Sequence, residues 1–78
     1  MSVIFRSLDQ KILYSIICKN TDKFNKLENK IYELKLFEEY AESDNYFIVN
    51  GKKVIKHKTL EENKIKDNDI ILINKNEE

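Results

Sequence analysis

The sequence has one cysteine, one glycine, one histidine, one arginine and no long apolar run, and each shortage removes a class of function. A lone Cys18 cannot close an internal disulfide and has no second thiol to complete a metal site, which points to a reducing compartment, cytosol or nucleus. No stretch approaches the ~20 apolar residues of a membrane-spanning helix, and the residues after Met1 lack the charged-then-apolar pattern of a secretory leader. An intracellular chain with no membrane contact is expected. Thirteen of the fourteen basic residues are lysine, and fourteen acidic residues balance them. Nucleic-acid binders carry a basic excess and favour arginine for bidentate contacts, so no nucleic-acid partner is expected.

Catalytic groupings are also missing. The sole histidine, His57, has Lys53, Lys56 and Lys58 around it and no carboxylate or thiol at ligand spacing, which suits a solvated loop residue. Lys52 to Lys58 read as a solvated turn or as a basic strip for an acidic partner. Glu38-Glu39 and Glu61-Glu62 are adjacent in sequence and diverge on a helix, which defeats a paired acid and base role. Tyr14, Tyr32, Tyr40 and Tyr46 are not interleaved with arginine as a stacking platform for single strands would be, and read as core or rim. No Ser/His/Asp set or Gly-rich phosphate loop occurs. The chain is therefore expected to be no enzyme, with no catalytic residue, metal site or cofactor.

What is present is a regular apolar pattern. With 41% hydrophobic and 36% charged residues, the 78-residue chain has enough apolar spacing for one folded domain and too little length for two. Met1 to Arg6 alternate as a strand, with Met1, Val3 and Phe5 on one face and Ser2, Ile4 and Arg6 on the other. After a hairpin connection over Ser7 to Lys11, a second strand runs from Ile12 to Cys18. Placing Ser15 outside avoids burying an unpaired hydroxyl and turns Ile12, Tyr14, Ile16 and Cys18 inward. The period then changes: Phe24, Leu27, Ile31 and Leu34 form one helical stripe, opposite Lys23, Lys26, Glu28 and Lys30, with Asp22 as N-cap. Leu36, Phe37 and Tyr40 either continue the stripe or form an apolar loop before the break at Ser43-Asp44-Asn45.

A third strand is predicted over Tyr46 to Val49 and a short fourth over Lys52 to Ile55. Between them Asn50-Gly51 is a strong type I′ hairpin signal, because both positions tolerate positive φ. Thr59-Leu60-Glu61-Glu62 matches a capping box at the start of one helical turn. The turn Lys66 to Asp69 leads into a last strand, Ile70 to Asn74. The charged tail, residues 75–78, is expected to fray, leaving a domain over residues 1–74. In this order the economical arrangement is an α+β fold: a mixed four- to five-stranded sheet with one helix across one face and the last strand parallel beside the first.

From Tyr46 onward the pattern Phe47-Ile48-Val49, Asn50-Gly51-Lys52, Val54, Thr59-Leu60, Ile65, Ile71 and Ile73 resembles ubiquitin and its relatives. It lies on ubiquitin without a gap from Gly51 to Ile73. The N-terminal half agrees in outline through Met1, Val3, Phe5, Leu8, Lys11, Phe24, Leu27 and Ile31, with short insertions around the first hairpin and after the helix. The resemblance implies the β-grasp fold and a role in binding a protein partner. It also implies a docking patch on the sheet face opposite the helix, at Leu8, Ile48, Leu72 and Asn74; ubiquitin has histidine in place of Leu72 and valine in place of Asn74. A second surface spot is expected at Ile4, beside Leu13 or Ile17. Conjugated relatives end in two glycines, whereas this sequence ends Lys75-Asn76-Glu77-Glu78, so the expectation is a non-conjugated interaction module, monomeric in isolation. The alternatives are a small structural subunit of a larger assembly and a truncated conjugated modifier.

Overall fold

The computed structural model describes residues 1–76. Its elements are β1 (Ser2–Ser7), β2 (Leu13–Ile17), α1 (Phe24–Tyr32), a 3₁₀ turn (Lys35–Phe37), α2 (Glu38–Ala41), β3 (Asn45–Val49), β4 (Lys52–Lys53) and β5 (Ile70–Lys75). They build a small α+β domain with a five-stranded mixed sheet, ordered β2-β1-β5-β3-β4. β1 runs antiparallel to β2 and parallel to β5, placing the last strand beside the first as expected. Two helices are present, not one. Leu36, Phe37 and Tyr40 fold into the 3₁₀ turn and α2, where Phe37 and Tyr40 are buried and Leu36 stays exposed.

α1 covers one face of the sheet because Phe24, Leu27 and Ile31 recur at helical spacing and are all buried. They share a core with Val3, Phe5, Phe37, Phe47, Val54, Leu60, Ile71 and Ile73. Phe5 is its centre: its ring lies 6.1 Å from Phe24, 6.5 Å from Phe37 and 5.9 Å from Phe47, the last two edge-on. Each such side chain withdrawn from water contributes about 1.5–3 kcal/mol, and tilted aromatic pairs add to that.

Asp22 does not cap α1. Its carboxylate accepts the Lys19 N–H at 3.0 Å within the preceding turn and pairs with Lys26. The helix is closed from outside its own sequence: the Phe24 and Asn25 N–H groups donate to the carbonyls of Lys58 and Lys56, both at 2.9 Å. Orphan amides at a helix start need acceptors, and the 56–58 loop supplies them. Glu28, expected on the solvated face, is buried. Its carboxylate accepts the Tyr32 hydroxyl at 2.6 Å and the Lys56 ammonium at 2.9 Å, and that ammonium also reaches the Asn45 carbonyl at 2.6 Å. Lys56 is thus turned inward and is no part of a solvated turn or an open basic strip.

Turn chemistry follows the sequence closely. Asn50 and Gly51 both take positive φ, 51° and 78°, in the β3–β4 connection. Thr59 and Glu62 exchange the two capping-box hydrogen bonds, Thr59 N–H to Glu62 Oε1 at 3.0 Å and Glu62 N–H to Thr59 Oγ at 3.1 Å. They close a hydrogen-bonded turn, not a helix. β4 is shorter than predicted, Lys52–Lys53, although the buried Val54 still donates its N–H to the Phe47 carbonyl at 2.8 Å. Lys75 belongs to β5, and the Asn76 N–H donates to the Asp44 carbonyl at 2.8 Å, so the ordered chain passes the expected boundary at residue 74. The tail's last two residues, 77 and 78, lie outside the described residues. No described helix is long and apolar enough to cross a membrane.

Candidate functional site

Strand alternation decides what the uncovered face carries. β1 sends Val3 and Phe5 to the core and Ile4 and Arg6 to the open face. On β2 the predicted phase holds: Tyr14 and Ile16 are half-buried, and Leu13, Ser15 and Ile17 face outward. β5 adds Ile70, Leu72 and Asn74, and β3 adds Tyr46 and Ile48.

Pairing joins these residues into rows. Arg6 lies between Leu13 of β2 and Leu72 of β5, Leu72 beside Ile48 of β3, and Ile48 beside Lys53 of β4, one row across all five strands. At the usual strand spacing this row is about 19 Å long. The neighbouring row is Ser15, Ile4 and Ile70. Leu13 is 66% exposed, Ile17 83% and Leu8 67%, while Ile4, Ile48 and Leu72 are half-buried by their neighbours.

All five residues expected at docking spots, Leu8, Ile48, Leu72, Asn74 and Ile4, lie on this side of the sheet or at the loop that leaves it. The structure departs from the expectation in two ways. The patch around Ile48 and the spot around Ile4 are one surface, bridged by Arg6, Leu72 and Ile70. Asn74 is buried, at 7% exposure, beside Tyr46 and below the loop that carries Leu8, so it adds no open surface. Ile70 was not singled out from sequence and Tyr46 was read only as core or rim, although alternation along their strands points both outward.

The charges on this face are both positive. Among the described residues no carboxylate pairs with Arg6, and Lys53 rests over the Tyr46 ring at 5.3 Å. The connection after β1 is held stiffly: the Ser7 hydroxyl donates to Asp9 Oδ1 at 2.6 Å and accepts the Ile12 N–H at 3.0 Å. The hydroxyl of Ser7, followed by the Lys11 N–H, holds the Asp9 carboxyl below its ordinary range. Leu8 therefore projects from an ordered loop.

His57 is exposed on the 56–58 loop, and Glu62 is occupied by Thr59. Burial pushes the Cys18 thiol up, which disfavours the nucleophilic thiolate. Among the described residues no three histidine, cysteine, aspartate or glutamate side chains cluster as a metal site.

No family model matches the sequence, and no curated protein matches it. The reading of the surface therefore rests on its geometry.

Proposed function

We propose that this chain is a ubiquitin-like β-grasp module that carries out no chemistry and docks a protein partner through the open sheet face. The observation that carries the reading is the continuous surface of Leu13, Ile17, Ile4, Ile70, Leu72 and Ile48 on a sheet whose other face is fully used by the core. Contiguous exposed apolar surface of this kind marks interaction sites. The strand order β2-β1-β5-β3-β4 with a helix packed across one face supports the β-grasp assignment. Arg6 and Lys53 favour a partner that sets carboxylates beside its apolar anchors. The buried lone thiol suits a reducing setting, cytosol or nucleus.

The test is capture of a partner from native extract, its identification, and titration against variants. Ile48→Ala should weaken binding by about thirtyfold or more, since interface energy concentrates in a few central residues worth about 2 kcal/mol or more each. Its thermal melt should change little. Unaltered binding by Ile48→Ala would sink the sheet-face reading.

The merging of the two expected spots also favours a second reading, a subunit held permanently in an assembly. A reversible module stays monomeric when isolated, whereas an orphaned subunit self-associates. Sedimentation of the purified chain separates the two.

A further inference from the structure

β5 outruns its parallel neighbour. Pairing between β1 and β5 stops at Ser7 with Ile73, after which β1 turns away through Leu8 and Asp9 while β5 continues to Lys75. The result is a notch in the sheet, a cleft of about 750 Å³ with Leu8, Tyr46 and Asn74 on the open-face side and Tyr40 on the helix side.

Two features of the notch bear on what it can bind. The first is Asn74, 7% exposed in the cleft wall, whose Nδ2 has no hydrogen-bond partner. A buried amide donor without an acceptor is costly, by about 1–3 kcal/mol, and is rare in a folded protein. Nδ2 itself is covered, but the χ2 torsion of asparagine is broad and lets the carboxamide swing toward the cleft. The second is backbone direction. The Ile4 N–H to Asp69 carbonyl bond of 2.9 Å shows that Asp69, and by alternation Ile71 and Ile73, turn their main-chain groups toward β1. Lys75 is next in that series, and its main-chain groups are directed to the side that β1 has left.

We propose that the notch binds an extended peptide segment of a partner, which takes up the line of β1 beside Asn74 and Lys75. The Asn74 carboxamide pairs with a main-chain amide of the segment, for which it has the matching donor and acceptor. Lys75 adds ladder bonds, as in other recognition by strand addition. Side chains of an extended segment alternate, so one contacts Leu8 and Tyr46 above the sheet and the next contacts Tyr40 and the Lys75 stem below it. The Lys75 ammonium already lies over the Tyr40 ring at 5.2 Å, which keeps the lower wall in place. This site is adjacent to the apolar face and is separable from it.

The test uses a phage-displayed library of random linear peptides panned on the folded chain, with selected peptides then titrated against variants. Asn74→Leu, close in shape and without the orphan donor, should melt higher than the unmodified chain while binding the peptides about tenfold more weakly or worse. Asn74→Asp, which exchanges the donor for an acceptor, should also bind weakly. Chemical shifts of the Asn74 side-chain NH₂ should move on peptide addition. A library that yields no binder, peptides indifferent to Asn74→Leu, or a lower melting temperature for Asn74→Leu would each overturn the proposal. Ile48→Ala separates the two sites: loss of peptide binding with Ile48→Ala and none with Asn74→Leu places the peptides on the apolar face and removes the notch, and the reverse pattern establishes the notch alone.

Discussion

The two faces of the sheet are built from alternate residues of the same strands, and both are apolar, yet only one is covered. Toward α1 lie Val3, Phe5, Phe47, Ile71 and Ile73, all essentially inaccessible. Away from it lie Ile4, Ile48, Ile70 and Leu72, with Leu13 and Ile17 from β2. A sheet with one wet face normally alternates apolar with polar, and one buried on both faces reads as continuous apolar runs. Val3-Ile4-Phe5 and Ile70-Ile71-Leu72-Ile73 are of the second kind in a chain with helices on one side only. These outward apolar residues lie outside the core cluster, and the proposed binding role rests on that.

Substitutions at adjacent residues should affect the two faces very differently. Phe5→Ala opens a cavity where three other aromatic rings meet and should cost about 3–5 kcal/mol in denaturant unfolding. Ile4→Ala, one position away on the open face, should cost about 1 kcal/mol or less. Equal losses would mean that both faces hold the fold together and that the open face is no spare surface.

A smaller effect is expected at Glu28, the one acidic side chain buried among the described residues. Glu28→Gln keeps the shape but weakens the bonds to Tyr32 and Lys56, and should cost about 1–2 kcal/mol, less than a fully buried pair because Lys56 is about a third exposed. Chemical denaturation would measure it. A neutral result would show that the Glu28 pair fixes the helix in place without contributing stability.

The smallest effects are in the pH profile, and they set the exposed turns against the buried network. The N–H and hydroxyl of Thr59 hold Glu62 low, and the Lys19 N–H does the same for Asp22, as the Ser7 hydroxyl does for Asp9. Stability from such depressed carboxylates is complete above their ordinary values of 4.5 and 3.8 and is lost as pH falls through the lower folded values. Tyr32 is displaced upward, first by burial and then by its bond to Glu28. Its contribution is complete below its ordinary value of 10.0 and declines as pH rises beyond it. Melting temperature should therefore be level between these limits and fall on both sides, with Glu62→Gln softening the acid limb and Tyr32→Phe the alkaline one. A profile sloping through neutrality would show that other groups dominate.

How much was legible depended on whether the signal was local. The second strand's phase followed from keeping Ser15 out of the core. The β3–β4 turn followed from Asn50-Gly51, and the reciprocal Thr59 and Glu62 bonds from their spacing. Misreadings arose where a distant segment intervened. Asp22 has the chemistry of an N-cap, but the carbonyls of Lys56 and Lys58 reach the same amides first. Glu28 has a charge that suits the solvated face, but Lys56 and Tyr32 neutralise and bond it inside. No periodicity could show that Asn74, outward by alternation, is walled in beside Tyr46 and the Leu8 loop.

Local signals in the sequence determined the order of the strands and the first helix, the inward phase of each strand and the apolar character of the outward set, because side-chain period and turn chemistry act within a few residues. Tertiary structure decided how far those outward residues form a surface. Ile4, Ile48 and Leu72 become neighbours only because β5 enters the sheet between β1 and β3, pairing residues 66 positions apart on the β1 side and 24 to 30 apart on the β3 side. The same insertion created the notch, since β5 carries on where β1 must turn back toward β2. Which strands meet, and where one outlasts another, is set by burying the shared core and closing the ladders, and no window of sequence contains both partners.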